Sequence, residues 1–223
     1  MTATGDRATL SPGARLGDFE VTRLLGAGSF GAVYEATHLA LGRRVALKVL
    51  DARYAHHPEA LARFEREAEA NAALAHPNIV GVLAVGEVEG SRYLALECLD
   101  GETLAARLTA GALSPQAVLE LCAPLVSALA LVHARGYVHR DLKPGNIFLA
   151  RRGASEEAVL LDFGVVQVQA GVGDVRLTRR GALLGSPAYM SPEQARSLPI
   201  DARSDQFSLG AILWECLVGR RVH

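Results

Sequence analysis

Cysteine is scarce in this chain of 223 residues: Cys98, Cys122 and Cys216 are far apart, odd in number and form no C-x-x-C pair. Their scarcity excludes a disulfide framework and a cysteine-built zinc site, and it points to a reducing compartment, the cytoplasm. An excess of either charge is also lacking, since 23 Lys and Arg face 24 Asp and Glu, for a net charge of −1 without a sustained basic run. Nucleic acid and anionic membranes are thereby excluded as main partners. The stretch from Met1 to Gly13 has no apolar core of the kind a secretory signal needs. The longest apolar run, Phe207 to Val218, is interrupted by Ser208 and Glu215 and is too short to span a bilayer, so no membrane segment is expected within these residues. What remains is ordinary and globular: half of the residues are hydrophobic, 21% are charged, and the length suits one larger domain or two small lobes.

Residues 1–17 are polar, carry Pro12 and Gly13, and read as a flexible leader. From Asp18 the pattern becomes extended. Phe19, Val21, Leu24 and Leu25 lead into Gly26-Ala27-Gly28-Ser29-Phe30-Gly31, and Ala32-Val33-Tyr34 resumes the strand pattern at once, which predicts a hairpin with a glycine-rich tip. A tip of this kind lets backbone N–H groups approach phosphate oxygens with no side chain in the way. In the next strand, residues 45–50, Lys48 shares a face with Ala46, and a lysine in so apolar a segment is costly unless paired. The following residues, 58–75, have a helical stripe of Leu61, Phe64, Ala68, Ala72 and Ala75, beside which Glu67 lies as one of three neighbouring acids with Glu65 and Glu69. Residues 79–85 and 93–96 predict two more strands, and 97–101 a linker. Ser114-Pro115 then starts a long helix whose rhythm is interrupted by Pro124, where a kink is expected.

The densest chemistry lies in His139-Arg140-Asp141-Leu142-Lys143-Pro144-Gly145-Asn146. Pro144 and Gly145 make it a loop. Asp141 is suited to take a proton from an attacking hydroxyl, Lys143 to balance charge on a transferring phosphoryl group, and Asn146 to offer a carbonyl oxygen to a hard cation. Sixteen residues after Asn146, an apolar strand delivers Asp162, followed by Phe163 and Gly164, and a carboxylate there suits the same cation. Residues 167–184 are polar and irregular, with Arg176, Thr178, Arg179 and Arg180. A last helix, 201–219, is apolar on nearly all sides, with Phe207, Ile212, Leu213, Trp214 and Leu217, which predicts burial in the middle of a lobe and buried donors for Asp205.

Residues 139–146 resemble the catalytic loop of eukaryotic-like protein kinases, and a Lys two residues after the Asp is the pattern of the Ser/Thr branch. Gly185 to Glu193 resembles the substrate-docking segment of bacterial Ser/Thr kinases, with Ser186 where Thr is usual. The resemblance runs from about Asp18 to the last residue. It implies an α+β, bilobal protein-kinase fold: an N-lobe at 18–97 with an antiparallel β-sheet and one helix, a hinge at 97–101, and a mainly α-helical C-lobe at 102–223. It also implies ATP as phosphoryl donor, Mg²⁺ as metal with Mn²⁺ as an alternative, and protein substrates with Ser or Thr acceptors. By resemblance Lys48 holds the α and β phosphates and is positioned by Glu67, while Asp141 and Lys143 act on the acceptor and the γ-phosphate and Asn146 and Asp162 hold the metal. The glycine-rich turn, Gly26 to Gly31 with Ala32, covers the phosphates. Leu25, Val33 and Ala46 roof the adenine, Phe148 lies beneath it, Leu96 is the gatekeeper, and Glu97 and Leu99 offer backbone groups. Asp205 takes backbone amides of the catalytic loop.

Two departures matter. Asn71 stands one turn beyond Glu67, where the family usually places an apolar residue. The sequence also stops at Arg220-Arg221-Val222-His223, whereas kinase domains continue with helices that cover the lower lobe and supply an Arg for Glu193. An incomplete C-lobe, a fragment of a longer kinase and reduced stability are therefore expected. A catalytically impaired, ATP-binding pseudokinase acting through partners is the alternative to an active enzyme, and a small-molecule phosphotransferase is disfavoured by the docking segment. Arg140, beside the catalytic Asp, resembles the Arg of enzymes whose activation loop is ordered by phosphorylation. The resemblance thus implies self-association for trans-autophosphorylation, with Thr178 as the acceptor. Mass spectrometry after incubation with ATP is expected to find phosphate on Thr178, and phosphate found only elsewhere would exclude that assignment.

Overall fold

The computed structural model describes residues 10–28, 31–162 and 187–222. The chain divides into two compact units, residues 1–72 with 81–99, and residues 73–80 with 100–223.

The first unit is a six-stranded antiparallel sheet with one helix. Its strands are β1 (Arg15–Leu16), β2 (Phe19–Ala27), β3 (Gly31–His38), β4 (Arg43–Leu50), β5 (Val82–Val88) and β6 (Ser91–Glu97), in the spatial order β1-β2-β3-β4-β6-β5. Alternation explains the arrangement: Val45, Leu47 and Val49 point into one apolar layer with Phe19, Val21, Tyr34, Ala36 and Ala95. Burying a side chain such as Leu47 contributes about 1.5–3 kcal/mol. The β2–β3 register slips between Val21 and Arg23 and again between Leu24 and Gly26, which bends the hairpin towards its glycine tip. At that tip Gly31 is required, because a Cβ there would lie 2.1 Å from the Val49 carbonyl oxygen.

Residues 10–16 depart from the loose leader expected over 1–17. Gly13 N–H donates to Val21 O at 2.8 Å, Val21 N–H to Ala14 O at 2.9 Å, and Leu10 N–H to the Tyr34 hydroxyl at 3.0 Å. Leu16 is buried in the apolar layer, so the segment is tied down by packing as well as hydrogen bonds. Residues 1–9 lie outside the described residues. Helix α1 (Pro58–Ala73) ends two residues before its expected end and buries Ala60, Phe64, Glu67, Ala68, Ala70 and Asn71.

Among the described residues of the second unit a small sheet, β7 (Gly101–Thr103), β8 (Ile147–Arg152) and β9 (Ser155–Leu160), accompanies four helices: α2 (Leu104–Leu108), α3 (Pro115–Ala134), α4 (Pro192–Ala195) and α5 (Ala202–Val218). The strand expected from Ile79 begins only at Val82. Residues 78–80 are instead drawn to β9: Val80 N–H donates to Leu160 O, Leu160 N–H to Asn78 O, and the Asn78 amide to Ala158 O at 2.9 Å.

Ser114 caps α3 by accepting from Ala117 N–H at 3.2 Å, Pro115 supplies the first turn, and the helix runs on through Pro124 to Ala134. By length and composition alone this helix, unlike residues 207–218, is long and apolar enough to cross a membrane, a test that the core helix of a globular unit also passes. Its inner stripe, from Val118 to Val132, is buried in this unit.

Helix α5 starts at the Asp201 cap and closes at Gly219, whose φ of +73° allows its N–H to reach Glu215 O at 2.8 Å. Burial on all sides, as expected for α5, does not occur. Leu209, Ala211, Ile212 and Cys216 are buried, but Phe207, Trp214 and Leu217 are 38%, 48% and 47% exposed. Its neighbours α3 and the 3-10 turn Pro187–Tyr189 cover one side of the helix, and the exposed residues point away from it.

Candidate active site

The first unit pairs Lys48 with Glu67. Lys48 Nζ lies 2.5 Å from Glu67 Oε1, with the two side chains 19% and 8% exposed. Strand β4 presents the lysine beside Ala46, and α1 presents the acid on its buried stripe. Desolvating either charge alone would be expensive, so each stabilises the other where it stands. Around them, Gly26 and Ala27 end β2, Gly28 N–H donates to Gly31 O at 2.8 Å, and Ala32 and Val33 begin β3. Ser29 and Phe30 lie outside the described residues. Leu25 is 43% exposed, Val33 and Ala46 are half-buried, and Leu96 is buried opposite Ala46 in the β4–β6 ladder. The N–H of Glu97 donates to Gly81 O at 2.8 Å. Leu99 sits in the link between β6 and β7.

The second unit orders residues 139–146 around Asp141. Lys143 Nζ lies 2.6 Å from Asp141 Oδ2, and the Asn146 amide donates to the same oxygen at 3.1 Å and to the Asp141 carbonyl at 2.8 Å. With its nitrogen so committed, Asn146 keeps its side-chain carbonyl as the atom for a cation. Leu161 N–H donates to Asn146 O at 2.9 Å, which brings Asp162 to the same loop. Phe148 is half-buried in β8 between Thr103 and Val159. Among the described residues no three His, Cys, Asp or Glu side chains gather into a metal cage. Asn146 and Asp162 are hard oxygen donors, and two such donors beside substrate phosphates suit a small divalent cation.

Asp205 of α5 fixes this loop. Its Oδ2 accepts from His139 N–H at 2.8 Å and its Oδ1 from Arg140 N–H at 2.9 Å, while His133 Nε2 of α3 lies 2.8 Å from Oδ2. Burial pushes the Asp205 carboxyl up, but the His133 hydrogen bond and the two backbone donors outweigh it and hold the carboxyl below the usual range. Arg140 has φ +67°, a left-handed conformation that costs a non-glycine residue roughly 1–3 kcal/mol. It is gripped at both ends, because its carbonyl accepts from Gln194 Nε2 at 2.7 Å. His133 and Gln194 were not among the candidates from sequence. Gln194 carried a usable signal, for Ser191-Pro-Glu-Gln194 forms a capping box at the start of α4; His133 carried none.

Glu193 accepts from the Ser204 hydroxyl, and that bond holds its carboxyl below the usual range. Thr178, Phe163, Gly164 and Ser186 lie outside the described residues.

His139 is fully buried, and burial pushes its imidazole down despite the nearby carboxylates of Asp205, Asp141 and Asp162. A depressed imidazole contributes stability that is fully present above its ordinary value of about 6.5 and is lost as pH falls below it, because the unfolded chain then binds the proton more readily. The urea midpoint is therefore expected to fall between about pH 7.5 and about pH 5.5, and to fall less in His139→Gln. An equal fall in both proteins would contradict this.

The protein kinase domain family matches residues 19–223. The serine/threonine-protein kinase Pkn1 of Myxococcus xanthus is 41% identical over 211 residues, covering 93% of this chain and 30% of that protein. PknB of Mycobacterium tuberculosis is 40% identical over 206 residues, covering 90% of this chain and 32% of that protein. This chain thus spans about a third or less of the length of these curated relatives. The crystal structure of the M. tuberculosis PknI kinase domain superposes with a TM-score of 0.74 at 29% identity, covering 96% of this chain and 77% of that one. With matching sequence over nearly its whole length and the same fold, the chain belongs to the protein kinase family.

Proposed function

We propose that this chain is the catalytic part of an ATP-dependent serine/threonine protein kinase, which moves the γ-phosphoryl group of ATP to a protein hydroxyl. The family uses ATP and a divalent metal and acts on protein substrates. The observation that carries the reading is the order around Asp141. Lys143 and Asn146 both engage Oδ2, and Oδ1 takes no hydrogen bond from any described residue. Asp141 Oδ1 is thus the oxygen that orients the acceptor hydroxyl and takes its proton as the new bond to γ-phosphorus forms. The bond from γ-phosphorus to the bridging oxygen breaks, and ADP leaves. The Lys143 ammonium, beside the same carboxylate, balances charge on the transferring group, and Lys48, braced by Glu67, holds the α and β phosphates. Asn146 and Asp162 would hold Mg²⁺, with Mn²⁺ as an alternative. The metal, when bound, neutralises charge on the β and γ phosphates.

The pseudokinase alternative is not favoured, since all six polar groups of the chemistry are present. The acceptors are Ser and Thr of proteins, including Thr178 of a second copy of the chain. We place the enzyme in the cytoplasm, where its three free cysteines, one buried and two half-buried, stay reduced. Helix α3 serves this reading as the core helix of its unit, consistent with its buried inner stripe.

Label transfer from radioactive ATP to a generic basic protein is expected for the wild type and to fall roughly 100- to 10,000-fold in Asp141→Asn. Equal transfer by both proteins, or a shift in melting temperature with ATP but no transfer by either, would overturn the proposal.

A further inference from the structure

Helix α1 buries an amide that is only half satisfied. Asn71 is 4% exposed, and its Nδ2 donates to the Glu67 carbonyl at 2.9 Å, one turn back. Its Oδ1 is buried with no hydrogen-bond partner. The amide cannot be turned round to cure this, because Oδ1 would then face the Glu67 carbonyl, acceptor against acceptor. A buried acceptor left without a donor destabilises whatever arrangement buries it.

That arrangement is the one that forms the ion pair. Glu67 and Asn71 are four residues apart, so they share one face of α1. Turning Glu67 inward to meet Lys48 carries Asn71 inward too, and any roll of the helix that wets Oδ1 draws Glu67 away from Lys48. Among the described residues the face has little apolar area to anchor it. Besides these two polar residues its buried members are Ala60, Phe64, Ala68 and Ala70, a single large apolar side chain among alanines. A helix held by so little apolar area responds to one unfavourable group.

We propose that Asn71 is a positioning residue that opposes the Lys48–Glu67 pair, and so sets the enzyme's resting activity below what that pair would support. The inference rests on the kinase reading for its effect on rate, but its effect on the pair is independent of that reading. Asn71→Leu, which keeps the heavy-atom count and branching of Asn, adds bulk and lacks the orphaned oxygen, tests it in the full chain, with the more flexible Asn71→Met as a second variant should Leu fit poorly.

The expected result is a higher urea midpoint, with a larger coupling between Lys48 and Glu67 in a double-mutant cycle (Lys48→Met, Glu67→Gln) built on Asn71→Leu than in one built on the wild type. Phosphotransfer should rise several-fold in kcat/KM for ATP. A lower midpoint in both variants, coupling that stays the same, or an active Asn71→Leu enzyme with unchanged kcat/KM would each overturn the proposal. If neither wild type nor variant transfers phosphate, the kinase reading fails, and the midpoint and the coupling still decide the role of Asn71.

Discussion

A single carboxylate, Asp205, holds residues 139–146, the proposed catalytic loop, in a shape that includes a left-handed Arg140. Arg140 is left-handed and strained, and the residue after it is the one on which the proposed chemistry turns. The strain persists because the N–H of His139 and of Arg140 both end on Asp205, while Gln194 takes the Arg140 carbonyl. Burying a carboxylate is expensive unless its oxygens are satisfied. Here three donors from two elements meet it, His133 of α3 among them. Helices α3 and α5 therefore stabilise the loop by presenting a charge and its partners rather than by packing alone, and the apolar stripe from Val118 to Val132 keeps the α3 imidazole in place.

The polar group in the first unit is held differently. Lys48 and Glu67 form an ion pair, and the helix that carries Glu67 has, among the described residues, a small apolar face with a half-satisfied amide in it. Three donors around one buried acid make a rigid constellation. One ion pair on a weakly anchored helix makes an adjustable one. On the proposal for Asn71, the arrangement that holds the lysine assigned to ATP is the more adjustable of the two.

Much of this was legible in the sequence, for physical reasons. A lysine inside an apolar strand requires an acid, and the helix that follows has Glu67 on its inner stripe. An aspartate in an apolar helix requires donors, and Asp205 has them. Patterns of this kind survive because burial of charge admits few solutions. What escaped was set by tertiary packing. Nothing local marks His133 as the third donor to Asp205, and periodicity does not reveal that Phe207, Trp214 and Leu217 face away from the neighbours of α5. Residues 10–16 look polar and loose, yet Leu16 enters the sheet's apolar layer and backbone bonds secure the rest. The strand pattern from Ile79 was real but belonged to another partner, Leu160.

The most direct measurement is steady-state phosphotransfer by Asp205→Asn at a pH where the variant is folded by urea titration. The variant keeps the shape of the side chain but turns one acceptor into a donor facing a backbone N–H, leaving a buried group unsatisfied at about 1–3 kcal/mol. If the clamp on His139 and Arg140 sets the position of Asp141, kcat falls by about tenfold or more while KM for ATP stays near the wild-type value. A folded Asp205→Asn protein with wild-type kcat would contradict the account.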